Sequence, residues 1–512
     1  PHSHTRLYFA AQFVFRSDDR GNSWTRISPD LTRNIFRYEE EILGRTWSID
    51  ALWDHGAMSM YSTITTLSES PLVEGLIYAG TDDGLIQVTE DGGETWRKID
   101  NIPGIPNRCF VNDIRASRHD PDLVMAALDN HKTGDLKPYL IVSRDRGRTW
   151  KSISSDLPQR QIVWAVTEDH KQPGLWFIGT EYGIYFTRDA GEHWIELTGG
   201  LPTIAFRDIE IQEKEDDLVG ASFGRGFYIL DDYAPLRHMD AKTLNQEASL
   251  FPVKKALMYV PRRPLSLRGK AFLGDNFYIA PNPPFGAVMS YYLKDSLKTL
   301  KEERRAEEKK LRAAGEAITF PGWDRLRKEE QEERPAVILT IRDNTGTIVR
   351  RLTGPAQAGF HRVAWDLRYP DLSPTRLEAP EMEPWSEPPS GPLAAPGEFT
   401  VSLAKRVDGD LIPIGEAQTF QVESLGLASL KTEDREALLD FQKQVGELQR
   451  AAMGAASAAQ EAIRQLQFMK KALMDTPKAD PELYKQALDL EKNLQDAMTE
   501  LYGDWTVRRY SE

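Results

Sequence analysis

The sequence predicts a mainly β chain: propeller blades forming part of a ring, then a β-sandwich, then a C-terminal α-helical hairpin. Three observations carry this expectation. A short turn pattern recurs four times in the first 194 residues, evenly spaced strands with Gly and Pro turns fill residues 335–423, and the apolar period becomes helical after residue 430.

The recurring pattern is Ser/Thr-x-Asp-x-Gly-x-x-Trp. Its copies place Asp19, Gly21 and Trp24, then Asp91, Gly93 and Trp96, then Asp145, Gly147 and Trp150, then Asp189, Gly191 and Trp194 at the same offsets. Each copy stands between alternating apolar runs, so each reads as the tight turn of a β-hairpin. Asp accepts hydrogen bonds from backbone N–H groups just downstream, and Gly takes the positive φ that a Cβ resists. The Trp ring is expected to pack over its own turn. Turn chemistry accounts for all four aspartates, so they are read as structural and no catalytic residue is assigned.

The repeat is longer than the turn. Residues 76–88 and 175–186 each read as strand, short Gly-bearing turn and strand ahead of a motif copy, and a further run such as Val163 to Val166 precedes the latter. Four strands per unit make a propeller blade. The motif tryptophans lie 72, 54 and 44 residues apart, which leaves room for insertions at 30–60, with Trp47, Trp53 and His55, and at 129–138, with Asn130, His131 and Lys132. A fifth unit at 218–230 ends in Asp231 and Asp232 where the motif has decayed, as expected of a terminal repeat. Residues 6–12 match the second strand of a blade that has no first. About four and a half blades over residues 1–232 leave a ring open, so the remaining blades are expected upstream or in another chain.

The motif copies, with Gly80-Thr81-Asp82-Asp83-Gly84 and the run from Gly224 through Asp232, resemble the Asp-box or bacterial neuraminidase repeat propellers. Within that class the chain is most similar to sortilin-like bacterial proteins often labelled glycosyl hydrolases. The resemblance covers residues 1–232 and implies export to the periplasm, the cell surface or the medium. It implies no particular activity, because sialidases, xyloglucan hydrolases, sortilin receptors and photosystem assembly factors share the motif.

Composition narrows the classes. A net charge of −14 argues against nucleic acid or an anionic membrane as partner. The single Cys109 excludes an intramolecular disulfide, and no apolar run approaches the length of a membrane span. No metal or cofactor is expected, since no cluster has the alternating carboxylate spacing of a calcium loop.

Residues 233–334 read as a connecting region whose Lys-, Arg- and Glu-rich stretch at 294–314 is a solvated helix or a linker. Residues 335–423 fit an immunoglobulin-like sandwich. In 430–512, Thr432 is expected to cap a helix carrying Leu438, Phe441, Val445 and Leu448. Asp480 and Pro481 restart a second helix carrying Leu483, Ala487, Leu490, Leu494, Ala497 and Leu501. Stripes of this kind pack within one chain or dock a partner helix, so an oligomer through these helices stays open.

The motif turns join the third and fourth strands of each blade, so turns joining the second and third lie on the opposite face. Those turns carry Asp82, Asp83, His131, Glu181, Tyr182 and Arg225, polar where a turn needs only Gly, and are expected to face a ligand. The leading reading is a non-catalytic binding propeller for a protein, peptide or glycan. A glycoside hydrolase is the alternative, with Asp82 or Asp83 and Glu181 as its only nameable carboxylates. A scaffold subunit of a secreted complex is the third.

Overall fold

The computed structural model describes residues 1–51, 61–154, 156–261, 278, 280–375, 388–426 and 434–511. Trp53, His55 and Thr432 lie outside the described residues. The chain forms two compact units, Pro1–Arg237 and His238–Glu512.

The first unit is built of five antiparallel sheets met in chain order. The first holds β1 (Leu7–Ala10), β2 (Val14–Ser17) and β3 (Thr25–Arg26). The second holds β4 (Ile64–Glu69), β5 (Ile77–Thr81), β6 (Ile86–Thr89) and β7 (Arg97–Ile99). The third holds β8 (Phe110–Ala116), β9 (Val124–Asn130), β10 (Asp135–Ser143) and β11 (Lys151–Ser152). The fourth holds β12 (Val163–Glu168), β13 (Trp176–Thr180), β14 (Gly183–Thr187) and β15 (Ile195–Glu196). The fifth holds β16 (Phe206–Gln212), β17 (Asp217–Ser222) and β18 (Phe227–Leu230). The leading strands neighbour one another, β4 beside β8, β8 beside β12 and β12 beside β16. This order is consistent with a propeller-like fold.

Successive sheets pack face to face. Leu76 and Tyr78 meet Val124, Ala126 and Leu128, while Met125 and Ala127, on the other side of β9, meet Trp176 and Ile178. The middle strands are therefore buried on both faces, and their sequences read as continuous apolar runs rather than clean alternation. Side chains also tie neighbouring first strands together. Thr65 Oγ1 donates to the Val111 carbonyl at 2.7 Å, and Asn112 Nδ2 to that of Val163 at 2.9 Å.

At all four motif turns the Ser or Thr hydroxyl donates to the Asp Oδ1 at 2.7 Å. The same hydroxyl accepts the N–H of the motif Gly, and Oδ1 accepts the N–H four residues after the Asp. The tryptophans do more than cover their own turns. Trp150 Cζ2 lies 3.3 Å from the Cβ position of its own Gly147, and Trp96, Trp150 and Trp194 also join the apolar cores shared with the preceding sheet. Trp24, whose sheet is first in the unit, stays 44% exposed and donates its Nε1 to Gly21 O. An indole is too large for its own short turn to cover, and the flank of the preceding sheet is the nearest apolar surface.

The unit extends to Arg237, five residues past the sequence-based boundary at 232, because the exit segment is clamped by charge. Arg237 Nη2 contacts Asp169 Oδ2 at 2.6 Å and Asp216 Oδ1 at 2.7 Å, and the Tyr233 hydroxyl donates to Asp169 Oδ2 at 2.6 Å.

The second unit contains a two-sheet sandwich. After α1 (Ala241–Asn245) come β19 (Ala248–Leu250), β20 (Ala256–Met258), β21 (Ala287–Leu293), α2 (Leu300–Ala314) and α3 (Trp323–Gln331). Then follow β22 (Ala336–Asp343), β23 (Ile348–Gly354), β24 (Gly359–Trp365), β25 (Gly397–Val407), β26 (Asp410–Pro413) and β27 (Gln418–Ser424). One sheet runs β19-β21-β24 and the other β20-β27-β25-β22-β23, with β26 on β25. They share one core containing Met289, Tyr291, Trp365, Leu339, Val401 and Phe420.

The connecting-region reading of 233–334 is corrected here. β19, β20 and β21 supply strands to both sheets, because the short apolar runs at 248–258 and 287–293 bury against the partners that residues 336–424 provide. The charged stretch is helical. Thr299 and Glu302 form a reciprocal capping box at the start of α2, and Arg304 Nε pairs with Glu329 Oε1 of α3 at 2.8 Å.

The chain ends in α4 (Arg435–Asp475), α5 (Pro481–Tyr502) and α6 (Trp505–Ser511). Asp434 caps α4 by accepting the Ala437 N–H at 2.8 Å, and Asp480 caps α5 with Pro481 at its first turn. The stripe Leu438, Phe441, Val445 and Leu448 is exposed, not packed. The first half of α4 instead buries Leu439 and Gly446.

Candidate functional site

The second-to-third-strand turns do not share one environment. Asp82 and Asp83, between β5 and β6, are buried and fully committed. Asp82 Oδ1 accepts the Thr63 N–H at 2.7 Å, and burial pushes its carboxyl up to about 6. Asp83 Oδ1 accepts the Thr81 hydroxyl at 2.6 Å, and its Oδ2 accepts the Arg33 N–H at 2.8 Å. These two carboxylates hold the turn to residues 33 and 63, which corrects the expectation that they face a ligand. The loop around Arg33 covers them, and Arg33 Nε also donates to the Asp83 carbonyl at 2.8 Å.

His131, Glu181 and the neighbourhood of Arg225 behave differently. His131, between β9 and β10, bonds through Nδ1 to the buried Asp129 carboxylate. Its ring meets the edge of Trp164, at the start of β12, with centroids 5.7 Å apart. Trp164 donates its Nε1 to Glu181 Oε2 at 2.9 Å. Over the face of the same indole, 3.4 Å from its centroid, lies the Arg207 guanidinium from β16, which also sits 5.0 Å from the Phe223 ring. One tryptophan thus gathers residues of the third, fourth and fifth sheets. Tyr182 and Arg225 are exposed beside these turns with no described contact joining them to the cluster.

Arg207 gives the site its chemistry. Its side chain is exposed and, among the described residues, makes no hydrogen bond or ion pair, only the two ring contacts. A guanidinium stacked by its face keeps its in-plane N–H fork available for an acceptor. Phe223, 68% exposed, supplies apolar surface beside it. The arrangement offers a cation and apolar surface, and among the described residues it does not present two carboxylates across a gap. Glu181 is engaged by Trp164, and no described contact brings Asp82 or Asp83 to it.

Trp164, Arg207 and Phe223 were not singled out from sequence. Phe223 left one usable signal, a large apolar residue in a turn that otherwise reads Gly224-Arg225-Gly226. Trp164 and Arg207 left none, since each sits at the start of a strand where alternation is unremarkable. No group of three or more metal-ligating side chains occurs among the described residues. No helix among them is long and apolar enough to cross a membrane.

Neither a family model nor a curated protein matches the sequence. Among solved structures the chain resembles the GH74 enzyme of Niastella koreensis, with 16% identity over 50% of this chain and 39% of that one, at a TM-score of 0.32. It also resembles YCF48 bound to D1 peptide, at 17% identity over 33% and 51% of the two chains and a TM-score of 0.25. A third is the extracellular domain of the hybrid two-component system BT3049 from B. thetaiotaomicron, at 10% identity over 82% and 44% and a TM-score of 0.28. The chain spans about half or less of each of these structures. The likenesses are partial, and the mainly β, propeller-like fold rests on the strand order given above.

Proposed function

We propose that the chain is a non-catalytic binding protein of the Asp-box propeller type, with an immunoglobulin-like sandwich and a helical hairpin appended. It engages a protein, peptide or glycan through the face that carries Trp164, Arg207, Phe223, His131 and Glu181. The observation that carries this reading is the uncommitted, ring-stacked guanidinium of Arg207 in a chain whose net charge is −14. A guanidinium held on aromatic rings with its N–H groups uncommitted is poised for an acidic group of a ligand. Further blades complete the ring from another stretch of polypeptide, consistent with the exposed Leu7, Phe9 and Trp24 at one end of the array and Phe227 and Ile229 at the other. By resemblance the protein works in the periplasm, on the cell surface or outside the cell.

The test is a glycan and peptide array probed with the full chain, followed by titration of the strongest binder. Arg207→Ala is expected to weaken binding at least about tenfold, the scale of one charge-assisted contact. Release of sugar from a polysaccharide panel that disappears in Glu181→Gln would replace this reading with the hydrolase.

A further inference from the structure

We propose that two copies of the chain pair through the first half of α4, along a seam of Leu438, Phe441, Val445 and Leu448. These residues follow one another at intervals of three, four and three, the a/d spacing of helices that pack side by side. All four are between 43 and 72% exposed.

The seam is held outward by contacts on the other side of the helix. Leu439 and Gly446 are buried there, and a Cβ on Gly446 would come within 1.9 Å of Leu372 Cδ1. Arg450 Nε donates to the Leu372 carbonyl at 3.1 Å, and the Lys443 ammonium lies 4.3 Å from the Tyr369 ring centroid. α4 cannot roll to bury its seam without breaking these contacts. α5 cannot reach it either. α4 has 41 residues and α5 has 22, so at about 1.5 Å per residue the returning helix covers only the half next to the connection. There Ala456 and Leu466 are buried, and Lys470 pairs with Glu491.

The flanks select a second copy as occupant. The positions bordering the seam are Ala437, Gln442, Gln444, Gln449 and Ala451, none of them charged. Charged e and g positions set partner choice, and like charges facing one another drive identical helices apart. Neutral, glutamine-lined borders let the same surface meet itself about a two-fold axis. The charges of this stretch, Asp440, Lys443, Glu447 and Arg450, all fall away from the borders.

Sedimentation equilibrium of the full chain tests the proposal. The wild type is expected to be a dimer. Phe441→Glu with Leu448→Glu is expected to weaken self-association at least about tenfold, with near-ultraviolet circular dichroism unchanged because both positions are exposed in the single chain. A second pair keeps the test independent of any folding defect. Gln442→Glu with Gln444→Glu should dissociate on its own and re-associate when mixed with a Gln442→Lys, Gln444→Lys chain. A monomeric wild type, a double glutamate variant that dimerises as tightly as wild type, or charge variants indifferent to mixing would each overturn it.

Discussion

Trp194 donates its indole Nε1 to the backbone oxygen of Ile153, 2.7 Å away and one sheet back. Trp96 does the same to Ile27 at 3.1 Å. In both cases the acceptor is the first residue after the outermost strand of the preceding sheet. The motif turn therefore fastens its own hairpin through Asp and Gly, and the neighbouring sheet through Trp. Trp24, in the first sheet of the unit, bonds to its own turn instead.

Replacing Trp194 with Phe keeps an aromatic body but deletes the donor and leaves the Ile153 carbonyl buried. A loss of about 1–3 kcal/mol is expected in urea unfolding of the first unit. Trp24→Phe, at an exposed position, should fall within about 0.5 kcal/mol of wild type. Equal effects at the two sites would refute the idea that the indole joins sheets.

A motif glycine and a glycine of an open loop should differ by the same logic. Gly93 has φ +109°, and a Cβ there would sit 2.4 Å from the Ile27 carbonyl oxygen. Gly104 has φ +80° with nothing within 4 Å of its Cβ position. Gly104→Ala carries only backbone strain, of order 1 kcal/mol. Gly93→Ala must also push two sheets apart and should cost more than about 3 kcal/mol. Comparable unfolding midpoints for the two variants would contradict the close approach.

The exit segment gives a sharper test of the boundary at Arg237. Asp169 is fully buried and receives both the Arg237 guanidinium and the Tyr233 hydroxyl. Arg237→Met leaves a buried carboxylate short of its countercharge and should destabilise the first unit by about 3–5 kcal/mol. Tyr233→Phe removes one hydrogen bond and should cost about 1–3 kcal/mol. Because both act on Asp169, the double variant should lose less than the two singles together.

What could be read from the sequence was what is local. A motif turn needs a hydroxyl, a carboxylate and a glycine at fixed offsets, so the residues at 17–24 carry their own explanation. The alternation that marks strands and the caps at Asp480 and Pro481 are equally local. Exposure is not. Asp82 and Asp83 look like ligand-facing acids until Arg33, 50 residues away, is seen bonding to Asp83. Arg207 and Trp164 meet only because β12 and β16 lie side by side. The Leu438 stripe has helical spacing in any setting, and only the contacts of Leu439, Gly446 and Arg450 show that it faces outward.

Titration separates Asp82 from the motif aspartates. Burial raises the Asp82 carboxyl to about 6, above its unfolded value near 3.9. Its proton is thus held more tightly in the folded chain. The stability it contributes is fully present below about pH 3.9 and fades as pH rises through about 6. Asp19 has the opposite sign. Hydrogen bonds from the hydroxyl and N–H of Ser23, then from Ser17, hold it at about 2, so its contribution is present above about pH 3.9 and fades as pH falls toward 2. Asp91 is lowered in the same way by the Thr95 hydroxyl and N–H. In urea midpoints measured from about pH 2 to 8, Asp82→Asn should therefore flatten the decline with rising pH between about pH 4 and 6. Asp19→Asn should lower the midpoint above about pH 4 and flatten its fall on the acid limb below about pH 4. An Asp82→Asn curve parallel to wild type between pH 4 and 6 would mean that the buried carboxyl is not the group that titrates there.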